Sequence, residues 1–114
     1  MNVGRNLVKL SQLRGGIMHT VIRTYSGAGA VETIDLIIAS KKDIKKIMRA
    51  VKGFISYSVI KTETGGFSIT VSKNEKASDA ITTAAREWVV ANAAHLKAKA
   101  PKITGGTVSL HFDS

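Results

Sequence analysis

Three histidines, a single tryptophan and no cysteine bound the chemistry available to this chain of 114 residues. Without cysteine there are no disulfides, no thiolate nucleophiles and no thiolate metal ligands. His19 and His111 lie near opposite ends of two β-rich segments, where antiparallel pairing would set the imidazoles side by side as an acid/base pair near neutral pH. A metal there would need a third ligand, and no carboxylate is spaced to supply it, so surface or interface histidines are the plainer reading. His95 falls near the end of a helical stretch, where a charged ring favours the helix dipole. Arg23, Tyr25 and Tyr57 could offer polar contacts to an anionic or aromatic ligand if they point into a cavity, although Arg23 equally suits a solvated strand position. Trp88 lies on an apolar helical stripe with Ile81, Ala84, Ala85, Val89 and Asn92. Core packing is the simple account of such a stripe, and the small alanines could also leave a pocket. The catalytic candidates are therefore His19, His111 and Arg23, and the pocket candidates are Trp88, Tyr25, Tyr57 and Asn92. No cofactor or metal site is expected.

These side chains need elements to position them. Ile17 to Ser26 is rich in β-branched and aromatic types and ends at Gly27-Ala28-Gly29, which predicts a strand followed by a turn. From Ala30 to Val51, apolar residues recur at three- and four-residue spacing, the period of an amphipathic helix, and Ser40-Lys41-Lys42-Asp43 predicts a break and restart. Gly53 closes that region. Phe54 to Thr62 and Phe67 to Ser72 read as a hairpin about the glycine-bearing connection Glu63 to Gly66. Asn74 to about Leu96 reads as a second helix with Asn74 or Ser78 as its cap, Pro101 ends the connection after it, and Thr104 to Phe112 alternates as a final strand.

The order strand, helix, strand, strand, helix, strand is that of a ferredoxin-like split βαβ fold, an α+β domain with both helices on one face of an antiparallel sheet. Several strands carry apolar groups on both sides, so the open face implies a partner, and an identical sheet would make a two-fold homodimer. The domain is expected over residues 17–114. Residues 1–16 are basic and acid-free and read as an appendage: either a targeting peptide or a start assigned too early, with translation beginning at Met18, the second being favoured.

The formal charge of +9 invites a nucleic-acid partner. Six of the 17 basic residues, Lys41, Lys42, Lys45, Lys46, Arg49 and Lys52, cluster on one helical region opposite Ile44, Ile47 and Val51. That is the pattern of a solvated helix face, and the aromatic strand motifs of RNA-binding ferredoxin-like domains are absent, so nucleic acid is not the expected partner. Gly65-Gly66 and Gly105-Gly106 lack the spacing of a phosphate-binding loop and read as turns. The longest apolar runs, Leu36 to Ala39 and Trp88 to Ala91, are far too short to span a bilayer, and a soluble cytoplasmic protein is expected.

Four segments carry a family resemblance: Thr24-Tyr25-Ser26-Gly27-Ala28-Gly29-Ala30, Gly53-Phe54-Ile55-Ser56-Tyr57, Gly65 to Ser72, and Ala84-Ala85-Arg86-Glu87-Trp88-Val89. Over residues 18–114 the chain resembles the bacterial antibiotic biosynthesis monooxygenase-like proteins of the dimeric α+β barrel superfamily. The resemblance implies a homodimer and a pocket between sheet and helices, which in the named members serves cofactor-free oxidation of aromatic polyketides or haem degradation. Trp88 matches the family's helix tryptophan loosely, and the family's catalytic Asn is not assigned to any residue here. Binding or cofactor-free oxidation of a small hydrophobic or aromatic molecule is the leading expectation. The alternatives are a non-catalytic structural or ligand-binding dimer and a weak anion or nucleic-acid binder using the basic helix.

Overall fold

The computed structural model describes residues 18–114, so the appendage 1–16 lies outside the described residues. The chain forms strand β1 (His19–Ser26), helices α1 (Ala30–Ala39) and α2 (Lys41–Arg49), strands β2 (Phe54–Thr62) and β3 (Gly65–Ser72), helix α3 (Glu75–Ala93), a short 3-10 turn (Ala94–Leu96) and strand β4 (Lys102–Thr107). The sheet order β2-β3-β1-β4, with every neighbouring pair antiparallel, is the ferredoxin-like arrangement expected from the element order.

Local chemistry accounts for the boundaries. Gly29, with φ of 79°, lets the chain turn from β1 into α1. Ser40 divides α1 from α2 as the spacing predicts, although its side chain makes no capping bond; its N–H instead closes α1 on the carbonyls of Leu36 and Ile37. Asn74 caps α3, its Oδ1 accepting from the Ala77 N–H at 2.8 Å. Ser78, the other candidate cap, is fully buried against the sheet instead.

All helices cover one sheet face. Ile34, Ile37, Ile44, Met48, Ile81 and Trp88 interlock there into the core with Tyr25 and Ala30. A register shift between Phe54 and Ser56 leaves Ile55 as the extra residue of a bulge, so that Phe54, Tyr57 and Val59 all turn to the helix-covered side. The opposite face presents Ile22, Ile60, Phe67, Ile69 and Val71, each half-buried by its strand neighbours and uncovered by any described helix.

Three sequence expectations need correction. Gly65 and Gly66 lie inside β3, and the turn is Glu63-Thr64 alone. Glycine is needed because the strands approach closely: a Cβ on Gly66 would stand 2.4 Å from the Ile60 carbonyl oxygen. Gly105 and Gly106 likewise pair with Val21 and Thr20 within the sheet. The last strand ends at Thr107 rather than Phe112, because ladder pairing with β1 stops where β1 begins, at His19.

Candidate functional site

Alternation of polar and apolar residues along β3 ordinarily sends the polar set to solvent. Here it does the reverse. Ser68, Thr70 and Ser72 point into the helix-covered interior and are at most 3 % exposed, while Phe67, Ile69 and Val71 take the open face. Ser72 Oγ lies 2.6 Å from Ser78 Oγ on α3, and the other two hydroxyls serve Arg23, directly opposite Ser68 on β1 and only 2 % exposed. Its Nη1 donates to Thr70 Oγ1 at 2.9 Å and more weakly to Ser68 Oγ at 3.5 Å, and its Nη2 donates to Thr82 Oγ1 on α3 at 2.6 Å. The Nε–H is buried with no acceptor.

These partners are all neutral. Among the described residues the Lys61–Asp35 ion pair and the contact of His111 with Asp113 do not involve Arg23. A buried guanidinium solvated only by hydroxyls has given up water for dipoles and lacks a counter-charge. Burial accordingly lowers its pKa, and the neighbouring phenols of Tyr57 and Tyr25 offset this in part. Burial pushes the Tyr57 hydroxyl up to about 12 and raises that of Tyr25, so both phenols stay neutral near physiological pH.

Over this cluster lies a cavity of ≈ 390 Å³ between α3 and the sheet. Arg23 and Tyr25 form its floor, Ala85, Val89, Val90 and Ala93 of α3 one wall, Ile103 of β4 another, and the segment 97–101 its margin. Its charged lining residues are Arg23, Arg86, Lys97 and Lys99, with no carboxylate or imidazole among them. The enclosure is therefore apolar in its walls and cationic in its field, and it can hold an apolar body and stabilise negative charge.

The structure thus brings Arg23 and Tyr25 together at one cavity. Trp88 sits elsewhere: it is 8 % exposed, packed with Ile44, Met48 and Ile81 in the core, and does not line this cavity. Tyr57 lines a separate hollow beneath α2. The Asn92 side chain donates back to the Trp88 carbonyl at 2.9 Å. His19 and His111 are not neighbours, because β4 ends before His111: His19 faces Thr107 in register and meets Ser78 Oγ at 2.8 Å, whereas His111 lies in the exposed tail beside Asp113 at 3.0 Å. Sequence reasoning missed Thr82, Ser68 and Thr70. A signal existed in Ser78 and Thr82, hydroxyls placed on the same α3 stripe as Ile81 and Ala85, a position where apolar types predominate.

No family model matches the chain, and no curated protein matches it by sequence. Solved structures do match it in fold. The R26S mutant of MhuD, with two manganese protoporphyrin IX bound per active site, superposes with a TM-score of 0.60 at 17 % identity, covering 85 % of this chain and 99 % of that one. SnoaB, a cofactor-independent oxygenase from Streptomyces nogalater, superposes with 0.55 at 13 % identity, covering 85 % and 96 %. A dimeric ferredoxin-like protein from an uncultured marine organism gives 0.51 at 16 % identity, covering 87 % and 94 %. The chain has the fold of the antibiotic biosynthesis monooxygenase-like ferredoxin-fold proteins, and the resemblance read from its sequence holds at that level. No helix among the described residues is long and apolar enough to cross a membrane.

Proposed function

We propose that this protein is a homodimer that binds a small hydrophobic or aromatic molecule bearing an anionic oxygen in the cavity between α3 and the sheet. The observation that supports this reading is Arg23, a buried cation without a carboxylate partner at the floor of an apolar enclosure. A ligand oxygen carrying negative charge, a carboxylate, phenolate or enolate, would supply the missing counter-charge, while Ala85, Val89, Val90 and Ala93 accept the apolar body.

The same field would favour oxidation of such a ligand by molecular oxygen. Charge stabilisation is what this lining supplies, since an enolate or phenolate held near Arg23 is the electron-rich form that gives electrons to oxygen. With no carboxylate or imidazole in the lining, proton removal falls to solvent or to the ligand's own acidity. Homodimerisation fits the open sheet face, where Ile22, Ile60, Phe67, Ile69 and Val71 form an apolar surface of the kind that two identical sheets bury.

Fluorescence titration with two probes of the same shape tests the binding reading: 8-anilinonaphthalene-1-sulfonate, which is anionic, and N-phenyl-1-naphthylamine, which is neutral. Preference for the anion by about tenfold or more is expected from one charge-assisted hydrogen bond. Equal affinity for the two would remove the anion from the proposal.

A further inference from the structure

The basic face of α2 borders an apolar hollow. Strand β2 is at the sheet edge, and α1 and α2 roof it incompletely, so that Phe54, Tyr57 and Val59 on its inner side remain half-buried. Between these residues and Ile37, Ile44 and Met48 opens a hollow of ≈ 610 Å³, within the range of about 300–1,000 Å³ common to small-molecule sites. It shares no lining residue with the cavity under α3.

The rim carries Lys41, Lys42, Lys45 and Arg49, and no acidic side chain lines the hollow. None of the four is ion-paired among the described residues: Asp35 of α1 is engaged by Lys61 at 2.7 Å, and Asp43 of α2 is exposed and outside the lining. A compact polar anion would gain nothing from the apolar floor, and a neutral alkane or alcohol would gain nothing from the rim. A molecule with an apolar chain and a single anionic head uses both, its chain leaving water on the floor and its head staying hydrated among the lysines.

We propose that the hollow between α2 and β2 is a second binding site for a medium-chain carboxylate whose alkyl chain lies on Phe54, Tyr57 and Val59 and whose head meets Lys41, Lys42, Lys45 and Arg49. Affinity rises about fourfold for each methylene from hexanoate to decanoate, the value set by hydrocarbon transfer, and falls with added salt.

The test is calorimetric titration of the full chain with hexanoate, octanoate and decanoate below their micellar concentrations, with decanol as the uncharged control. Two variants locate the binding: Lys42→Glu/Lys45→Glu reverses two exposed rim charges, and Val90→Glu places a negative charge at the exposed wall of the other cavity. Far-ultraviolet circular dichroism confirms that both surface variants are folded. The expected result is decanoate binding that survives Val90→Glu, weakens about tenfold or more in Lys42→Glu/Lys45→Glu, and exceeds that of decanol. Three outcomes would each overturn the proposal: no binding at any chain length, loss of all binding in Val90→Glu with none in the rim variant, or decanol binding as tightly as decanoate.

Discussion

Replacing Arg23 by methionine separates a ligand-binding role from a structural one, because the two make opposite demands on stability. Arg23→Met keeps an unbranched chain of similar length and removes the charge. It leaves Ser68, Thr70 and Thr82 without their shared donor, at a cost of about 1–3 kcal/mol for each hydroxyl that finds no substitute. Against this stand two gains: the desolvation of a buried cation, worth several kcal/mol, is abolished, and the partnerless Nε–H, itself costing about 1–3 kcal/mol, disappears. The balance lies within about 2 kcal/mol of zero. Binding has no such compensation, and losing one charge-assisted hydrogen bond to an anion, about 1.5–3 kcal/mol, weakens it about 10- to 100-fold. Urea unfolding followed through Trp88, the single tryptophan of the chain, measures the first quantity, and the paired titration with anionic and neutral naphthyl probes measures the second. A loss of stability above about 4 kcal/mol with an unchanged ratio of the two probe affinities would refute the reasoning, because Arg23 would then be a structural strut.

Three further outcomes are expected of the same fold. The Tyr57 hydroxyl, held at about 12 in the folded chain against about 10 when unfolded, stays protonated in the fold, so its contribution is complete below pH 10. That contribution is lost as pH rises toward 12, by roughly 2–3 kcal/mol, with Tyr25 acting in the same direction; urea midpoints at successive pH values would show the fall, and phenolate absorbance appearing near pH 10 with the fold intact would contradict it. Gly66→Ala forces a Cβ to 2.4 Å from the Ile60 carbonyl oxygen and is expected to cost more than about 2 kcal/mol in thermal or urea unfolding, whereas Gly106→Ala, with nothing within 4 Å, changes stability by less than about 1 kcal/mol. Ile69→Glu at the middle of the open sheet face is expected to give a monomer by light scattering while the circular dichroism stays folded, and an unchanged dimer mass would move the interface to another surface.

Most of the architecture was legible in the amino-acid sequence because it is written in local terms. The 3.6-residue period over Ala30 to Val51, the break at Ser40, the cap at Asn74 and the β-branched runs each depend on neighbours within a few residues, and together they order the elements as a ferredoxin-like fold. The glycine pairs misled for a related reason. Sequence shows that glycine is tolerated, and only the strand pairing shows whether its purpose is a turn or the close approach of another backbone, as at Gly66.

The site was legible only in fragments. Arg23, Tyr25 and Tyr57 stand out by residue type, and all three prove to be interior, yet the sequence cannot say which cavity each one meets, because that depends on which face of β1 and β2 the helices cover. The bulge at Ile55, invisible as a pattern, decides it for Tyr57. Ser68-Ile69-Thr70-Val71-Ser72 is a perfect alternation that fits either orientation, since a period of two fixes the two faces without assigning the inside. Composition and periodicity determined the elements and their order; the tertiary structure alone decided that the hydroxyls face inward and the isoleucines outward, because only there does Arg23 come opposite Ser68 and beneath Thr82, a buried charge that the strand's polar side must solvate.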